Sequence, residues 1–522
     1  MNQQTNKLTP FKVGTNLITI EEINHIAEGQ TVTLTDDSTW KKIIEKGATF
    51  LMKNWKEGAK IYGVSTGYGE SADREVAADL IHLLPMNLTR FHGVGFGAHF
   101  DPATTRAILI TRLVSIAIGA SGVREELLRM LVDLINHDIL PLIPEEGSVG
   151  ASGDLTPLSY IAAVVSGERD VLCDGVQMPA AEALAKKGFT PLQLIPKEAL
   201  AIMNGTSVMT AVAAIVFKRA KTLAQIATRI TSMAVVGAKG NAAHYDDRIF
   251  ALKPHPGQRL VAKSIREDLK EYGDREHVRL QDRYSLRCAP HVIGVLADTL
   301  PWSRQNIEIE ANSANDNPLL DVASEDFLHG GNFYGGHIAG VMDALKPIIA
   351  NLAGLIDRQV ALLVDPKTNH GLPANLTGAT GDYITISHGF KALQISISAM
   401  TAEAMKLTMP ASVFSRSTEC HNQDIVSMGT IAARDANRVL ELTEQCAAAG
   451  LMIMTQAVEL RIKSGELTDA HISPRIKQTM DTTREITPYL VEDRVLEGEL
   501  RTLTKMIQAG DFKFDSDLEP KS

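Results

Sequence analysis

Apolar residues recur at three- and four-residue spacing over most of the chain beyond residue 100, the pattern of helices that bury one face. Asp101 and Pro102 form an N-cap and first-turn pair that opens a predicted helix over 103–120. Leu127, Leu128, Leu131, Leu134 and Ile135 make one apolar stripe on the next helix. Longer apolar stretches at 198–236, 336–364, 389–407 and 430–460 contain few breakers. At about 1.5 Å per residue, a helix of about 30 residues reaches ~45 Å, so these stretches predict a bundle of long helices. Strand candidates are short: β-branched runs at 17–20, 31–34 and 60–64, and a hairpin near 171–178. The polar tail 512–522 is expected to fray, and no fixed-period repeat occurs. Four glycine-rich segments, 63–69, 93–97, 147–153 and 330–336, interrupt this helical pattern as irregular loops.

Composition narrows the class without naming a chemistry. With 44% hydrophobic and 22% charged residues in 522, disordered and collagen-like classes are excluded. The balance of 52 Lys+Arg against 62 Asp+Glu leaves a net charge of −10, which argues against a protein that grips nucleic acid. Cys173, Cys288, Cys420 and Cys446 show no C-x-x-C spacing and fit neither a disulfide scaffold nor a zinc site. A reducing, cytoplasmic setting is therefore expected. Residues 1–12 are polar, and Arg106 and Arg112 break the richest apolar stretch, so neither a signal peptide nor a membrane span is expected.

The most informative segment is GSVGASGDLTPLSY at 147–160, where a glycine-rich loop runs into Asp154 and Pro157 and then a helical pattern. Ser152 thus falls at or just before a helix N-terminus. On local pattern alone, this is a glycine-rich turn with Ser or Asp as N-cap. A nucleophile elbow, and with it a serine hydrolase, fits poorly, because Gly153 follows Ser152 directly. The triplet Ala151, Ser152, Gly153 fits a third chemistry better, in which its own backbone cyclises. Attack of the Gly153 nitrogen on the Ala151 carbonyl, with loss of two waters, one carrying the Ser152 oxygen, leaves a five-membered ring with an exocyclic methylidene. Glycine leaves its nitrogen unobstructed and alanine crowds its carbonyl little. The product is a strong electrophile, and neighbouring helix N-termini would stabilise negative charge developing on it.

At this point the chain resembles the aromatic amino acid ammonia-lyases and aminomutases, which build 4-methylidene-imidazol-5-one from Ala-Ser-Gly. The resemblance spans roughly residues 17–460. It is carried by IYGVSTGYG at 61–69, the 147–160 segment, IMNGTSVMT at 202–210, LQDRYSLR at 280–287, NSANDNP at 312–318, HGGNF at 329–333 and NQDIVSM at 422–428. It implies a mainly α fold of the fumarase/aspartase-like superfamily, with a long central helical bundle and a small mixed N-terminal region. We divide the chain into an electrophile-bearing domain over 1–205 and a bundle with C-terminal helices over 206–522. The resemblance further implies a homotetramer whose active sites are each assembled from three chains. The short connection 240–281 leaves little room for an additional lid.

Roles for individual residues follow from the same resemblance. Taken alone, Tyr62 is a packed or surface loop tyrosine; within the family pattern it is the catalytic base. Removing a weakly acidic β-hydrogen calls for a phenolate, so its pKa is expected to be lowered by helix dipoles or cations. Arg287, otherwise a helix-surface arginine, becomes the bidentate clamp for the substrate carboxylate. Asn204, read as lying inside a helical run, is placed beside that carboxylate and the ring. Gln281, Tyr284, Asn332, Phe333 and Gln423 complete the pocket, and Phe91 and His92 occupy the positions that tune selectivity. Phe91 favours an apolar ring, whereas His92 could meet a phenol, so phenylalanine and tyrosine are both expected substrates. Histidine-specific members carry glutamate where Gln423 stands, which argues against histidine. The Phe91–His92 pair departs from the commonest combinations, and Pro85 and Tyr68 replace residues more usual in their motifs. Elimination would give trans-cinnamate or trans-coumarate; an aminomutase would use the same residues, and a non-catalytic scaffold would need neither Ser152 nor Tyr62. A dinucleotide loop at 93–97 lacks the full G-x-G-x-x-G, and His329, His337, His421 and Asp424 lack metal-ligand spacing, so no metal and no dissociable cofactor are expected.

Overall fold

A computed structural model describes residues 8–275 and 278–521. The first seven residues of the segment read as lacking a signal, Glu276 and His277 of the connection 240–281, and Ser522 of the tail lie outside the described residues. The chain is mainly α-helical and divides into two units.

The first unit comprises Met1–Ile215, Arg304–Asp343 and Pro410–Arg434. Helix Pro102–Ile116 is buried along nearly its whole length, and Asp101 caps it by accepting the Thr104 N–H at 3.0 Å. It ends at Ile116, short of the expected residue 120. The stripe from Leu127 to Ile135 lies on the buried face of helix Glu125–Asn136. Strands are short, as expected: Phe11–Val13 pairs parallel with Val32–Leu34, and Asp170–Cys173 forms a hairpin with Val176–Pro179.

Two strand expectations fail here. Residues 17–20 lead into helix Ile20–Ala27, because Thr19 and Glu22 form a capping box: the Thr19 hydroxyl accepts the Glu22 N–H at 3.2 Å and the Glu22 carboxylate accepts the Thr19 N–H at 2.9 Å. Residues 60–64 form a turn instead of a strand. Ser65 Oγ accepts the Ile61 N–H at 2.8 Å, while Ile61 and Val64 plug a core cluster with Leu51 and Leu320. Their apolar character serves packing beneath a loop, not alternation along a sheet.

The second unit comprises Val216–Ser303, Ala344–Met409 and Asp435–Ser522. It holds helices Lys391–Lys406, Pro474–Arg484 and Glu497–Ala509 and the greater part of Gly336–Val364 and Gly429–Lys463. The last, at 35 residues, is ~50 Å long by its rise per residue. Helix Gly336–Val364 is long and apolar enough to cross a membrane, but 67% of its apolar window is buried within the protein, the burial of a core helix. Polar groups tie this bundle: Gln359 donates to Thr231 Oγ1 at 2.9 Å, and the buried Arg461 donates to the Gly237 and His370 carbonyls at 3.0 and 3.1 Å. The tail does not fray as expected. Phe512 and Leu518 are buried, and Lys221 pairs with Asp517 and Glu519 at 2.9 Å each.

Candidate active site

The segment containing Ser152 is held by backbone on one side and by a buried carboxylate on the other. Gly153 lies opposite Gly205, and the Asp154 N–H donates to the Gly205 carbonyl at 2.7 Å. Asp154 begins helix Leu155–Val165, yet its fully buried carboxylate turns to the N-terminus of helix Ser207–Gly237. There it accepts the Val208 and Met209 N–H groups at 3.1 and 3.0 Å, with the Ser148 hydroxyl at 3.0 Å and the Thr430 hydroxyl. Burial raises the Asp154 pKa above the usual carboxylate range, and these donors oppose the rise. The loop containing Ser152 is thereby fastened where the positive end of one helix begins and that of a second is capped.

Glycine is required at both facing positions. Gly153 has φ +70°, and a Cβ there would overlap the Gly205 carbonyl. A Cβ on Gly205 would overlap the guanidinium of Arg112, which is fully buried and donates to the Asn315 carbonyl at 3.1 and 3.2 Å. Burial lowers the Arg112 pKa to about 10, which leaves it charged at neutral pH. Gly205→Ala must therefore push a buried cation off its partner. It is expected to destabilise the protein by about 3 kcal/mol or more, read as a lowered midpoint in thermal unfolding.

Asn204 is not inside a helix, contrary to expectation. Helix Glu198–Met203 ends there, Asn204 leaves with φ −87° and ψ 95°, and the next helix starts at Ser207. The break lets Gly205 reach Gly153. Asn204 is 2% exposed, and its Oδ1 is buried with no hydrogen-bond partner, an acceptor in want of a donor.

A cavity of about 710 Å³ opens over this loop, lined by Ala151 and Ser152 together with Tyr62, Phe333 and Gln423. Gln423 Nε2 donates to Ser152 Oγ at 3.3 Å, and Gln423 Oε1 accepts the Thr418 hydroxyl at 3.0 Å. Tyr62 Oη accepts the Gly69 N–H at 2.9 Å. The Tyr62 pKa is raised, not lowered as expected: burial outweighs the Gly69 N–H, and the Glu419 carboxylate adds to the rise.

Other expected residues stand outside the cavity lining. Asn332 is exposed, with its N–H on the Asp316 carbonyl at 3.1 Å, while the neighbouring Phe333 faces the cavity. Phe91 is 57% exposed and packs on the His92 ring at 4.4 Å. His92 Nδ1 sits 2.9 Å from the Leu88 carbonyl, and burial lowers its pKa. Facing a carbonyl, Nδ1 must carry the proton, so the neutral ring offers Nε2 as an acceptor. Gln281, Tyr284 and Arg287 belong to the second unit, where they form one cluster. Arg287 Nε donates to the Asp282 carbonyl at 2.9 Å, its Nη2 lies 3.4 Å from Gln281 Oε1, and its guanidinium covers the Tyr284 ring at 4.5 Å.

The cavity also holds residues that sequence reasoning did not single out. Asn317, whose Oδ1 is buried without a partner, lies inside the quoted motif 312–318, and Asn422 precedes Gln423, while Asp424, weighed above only as a metal ligand, follows it. Their adjacency to named motifs was the available signal. Lys60 and Asp73, paired at 3.7 Å on the rim, carried none, since a turn brings them together. His329 lines the cavity and His421 Nδ1 bonds Ser417 Oγ at 2.8 Å; among the described residues, no three His, Cys, Asp or Glu are grouped to hold a metal ion. The four cysteines are free thiols.

Comparison with known proteins gives a consistent result. The profile of a family described as aromatic amino acid lyase matches residues 18–485. A tyrosine ammonia-lyase of Cereibacter sphaeroides is 38% identical over 474 residues, covering 87% of this chain and 89% of the relative. A histidine ammonia-lyase of Natranaerobius thermophilus is 35% identical, covering 86% and 87%. Among solved structures, a tyrosine aminomutase from Streptomyces globisporus superposes with a TM-score of 0.89 at 33% identity, covering 97% of this chain and 98% of that one.

Proposed function

This chain belongs to the aromatic amino acid lyase family, and from that premise we propose that it eliminates ammonia from L-tyrosine or L-phenylalanine to give trans-coumarate or trans-cinnamate. The observation that carries this is the cavity that places the Tyr62 phenol and the Ser152 loop on one wall system, with Gln423 bonded to Ser152. Ala151, Ser152 and Gly153 are the source of a 4-methylidene-imidazol-5-one ring. Their surroundings fit it: Gly153 has no Cβ to obstruct its nitrogen, and the unpartnered Asn204 Oδ1 is buried one residue from Gly205. Once formed, that ring would supply an electrophilic methylidene for the substrate amine.

The chain's own residues do the rest. Tyr62 removes the β-proton as phenolate, Phe333 bounds the aromatic ring, and Gln423 orients the Ser152 side of the loop. The clustered Gln281, Tyr284 and Arg287 present a guanidinium for the substrate carboxylate. We assign them to the site of a neighbouring subunit in a cytoplasmic homotetramer; active monomer in light scattering would refute this. We assign His92, which stands outside this cavity's lining, to the aromatic end of the assembled site, where for a tyrosine substrate its neutral ring offers Nε2 to the phenol hydroxyl; the neutral Gln423 lacks the charge that would hold an imidazole. His92→Leu is accordingly expected to raise the phenylalanine-to-tyrosine ratio of kcat/KM by about tenfold or more, read by ultraviolet absorbance of the two products.

The likeness to a tyrosine aminomutase supports a second reading, return of the amine to the β-carbon on the same residues. Incubation with phenylalanine, tyrosine, 3,4-dihydroxyphenylalanine and histidine separates the readings, with acrylates followed by absorbance and β-amino acids by chromatography. Predominant urocanate would overturn the substrate assignment.

A further inference from the structure

The loop 415–428 touches both halves of the proposed chemistry. At one end Gln423 reaches Ser152. At the other, both Glu419 carboxylate oxygens accept the Glu70 N–H, at 2.9 and 3.1 Å. The preceding residue, Gly69, is the one whose N–H holds Tyr62 Oη. A Cβ on Gly69 would overlap the Glu419 carboxylate, so glycine at φ +58° is what admits that carboxylate to the turn Gly69–Ser71.

The loop adopts a costly conformation to make this contact. Glu419, Cys420 and His421 have φ of 52°, 54° and 70°, three successive residues with side chains in the left-handed region. Such backbone persists where surrounding contacts hold it. Here the Thr418 N–H and Gln423 carbonyl meet at 2.9 Å and the Ser417 hydroxyl meets His421 at 2.8 Å.

We propose that Glu419 is a positioning residue that latches the Tyr62 turn to the loop bearing Gln423, and so sets the approach of the phenol to the Ser152 segment. It acts through Gly69 and Glu70 on the reaction proposed above. Its charge has a second consequence, since a carboxylate facing Tyr62 opposes formation of the phenolate. Among the described residues, the other titratable groups there are Lys60 and Asp73, paired with each other, Tyr68 edge-on to Tyr62 at 6.4 Å, and His329, Tyr334 and Asp424 of the cavity lining.

The test compares Glu419→Gln, which keeps an acceptor and loses the charge, with Glu419→Ala, which loses both. Ionisation of Tyr62 is read directly by ultraviolet titration of each form against its Tyr62→Phe counterpart. In Glu419→Gln the Tyr62 step is expected to fall by about half a pH unit, the modest size reflecting the exposure of Glu419, and the low-pH limb of kcat/KM should move with it. In Glu419→Ala, kcat is expected to fall about 10- to 100-fold with a smaller change in KM; Glu419→Gln should recover most of that loss. A wild-type kcat in Glu419→Ala overturns the latch, and a Tyr62 titration unchanged in Glu419→Gln overturns the charge effect. A fallen kcat in Glu419→Ala beside a titration that moves without the rate limb upholds the latch and refutes Tyr62 as the base.

Discussion

Ser152→Ala protein is expected to fold and to lose at least about a thousandfold in turnover, because alanine cannot supply the leaving oxygen that makes the methylidene. Its intact mass should equal that of the unmodified sequence, whereas the wild-type chain should be lighter by two waters, ~36 Da. The structure predicts that loss of activity and loss of stability separate at this position. Among the described residues, Ser152 Oγ has one hydrogen bond, the 3.3 Å bond from Gln423. The loop itself is held by the Asp154–Gly205 backbone bond and by the four donors on the Asp154 carboxylate. A thermal midpoint close to wild type beside a near-complete loss of product is the expected pair of measurements. Retention of more than about a tenth of wild-type kcat, or a wild-type mass matching the unmodified chain, would remove the electrophile from the mechanism.

Tyr62→Phe should cost about 10²- to 10⁴-fold in kcat with little change in KM, the size of effect removal of a general base produces. The phenol oxygen gives up one hydrogen bond, from Gly69, so the fold should again survive. The pH dependence follows from the direction of the Tyr62 shift. Its pKa lies above the ordinary 10.0 because burial penalises the phenolate. The reactive form is therefore scarce at neutral pH, and kcat/KM should climb by about tenfold per unit as pH rises toward that pKa. In Tyr62→Phe this limb should vanish. A flat profile in the wild type between neutral and alkaline pH would assign the proton to another group.

Local signals carried far in this chain where a short stretch specifies its own geometry. Asp101 and Pro102 start a helix because capping and fixed φ act within one turn. The Val176 hairpin and the stripe on helix Glu125–Asn136 formed for comparable local reasons. The same kind of signal was overlooked at Thr19 and Glu22, where a capping box outranked a four-residue apolar run. Ile61 and Val64 misled for a different reason. Burial of apolar residues under a turn and burial in a strand leave the same short pattern.

The triplet at 151–153, the seven motifs in order and the helical periodicity were determined by sequence alone, because each depends on residue identity or on spacing along one segment. Tertiary structure decided what those residues face. The break at Asn204, the glycine contact between positions 153 and 205, the direction of the Tyr62 pKa shift and the seat of Glu419 on the Gly69 turn all join segments far apart in the chain. Burial and electrostatic energies depend on distance in space, and separation along the chain does not encode that distance.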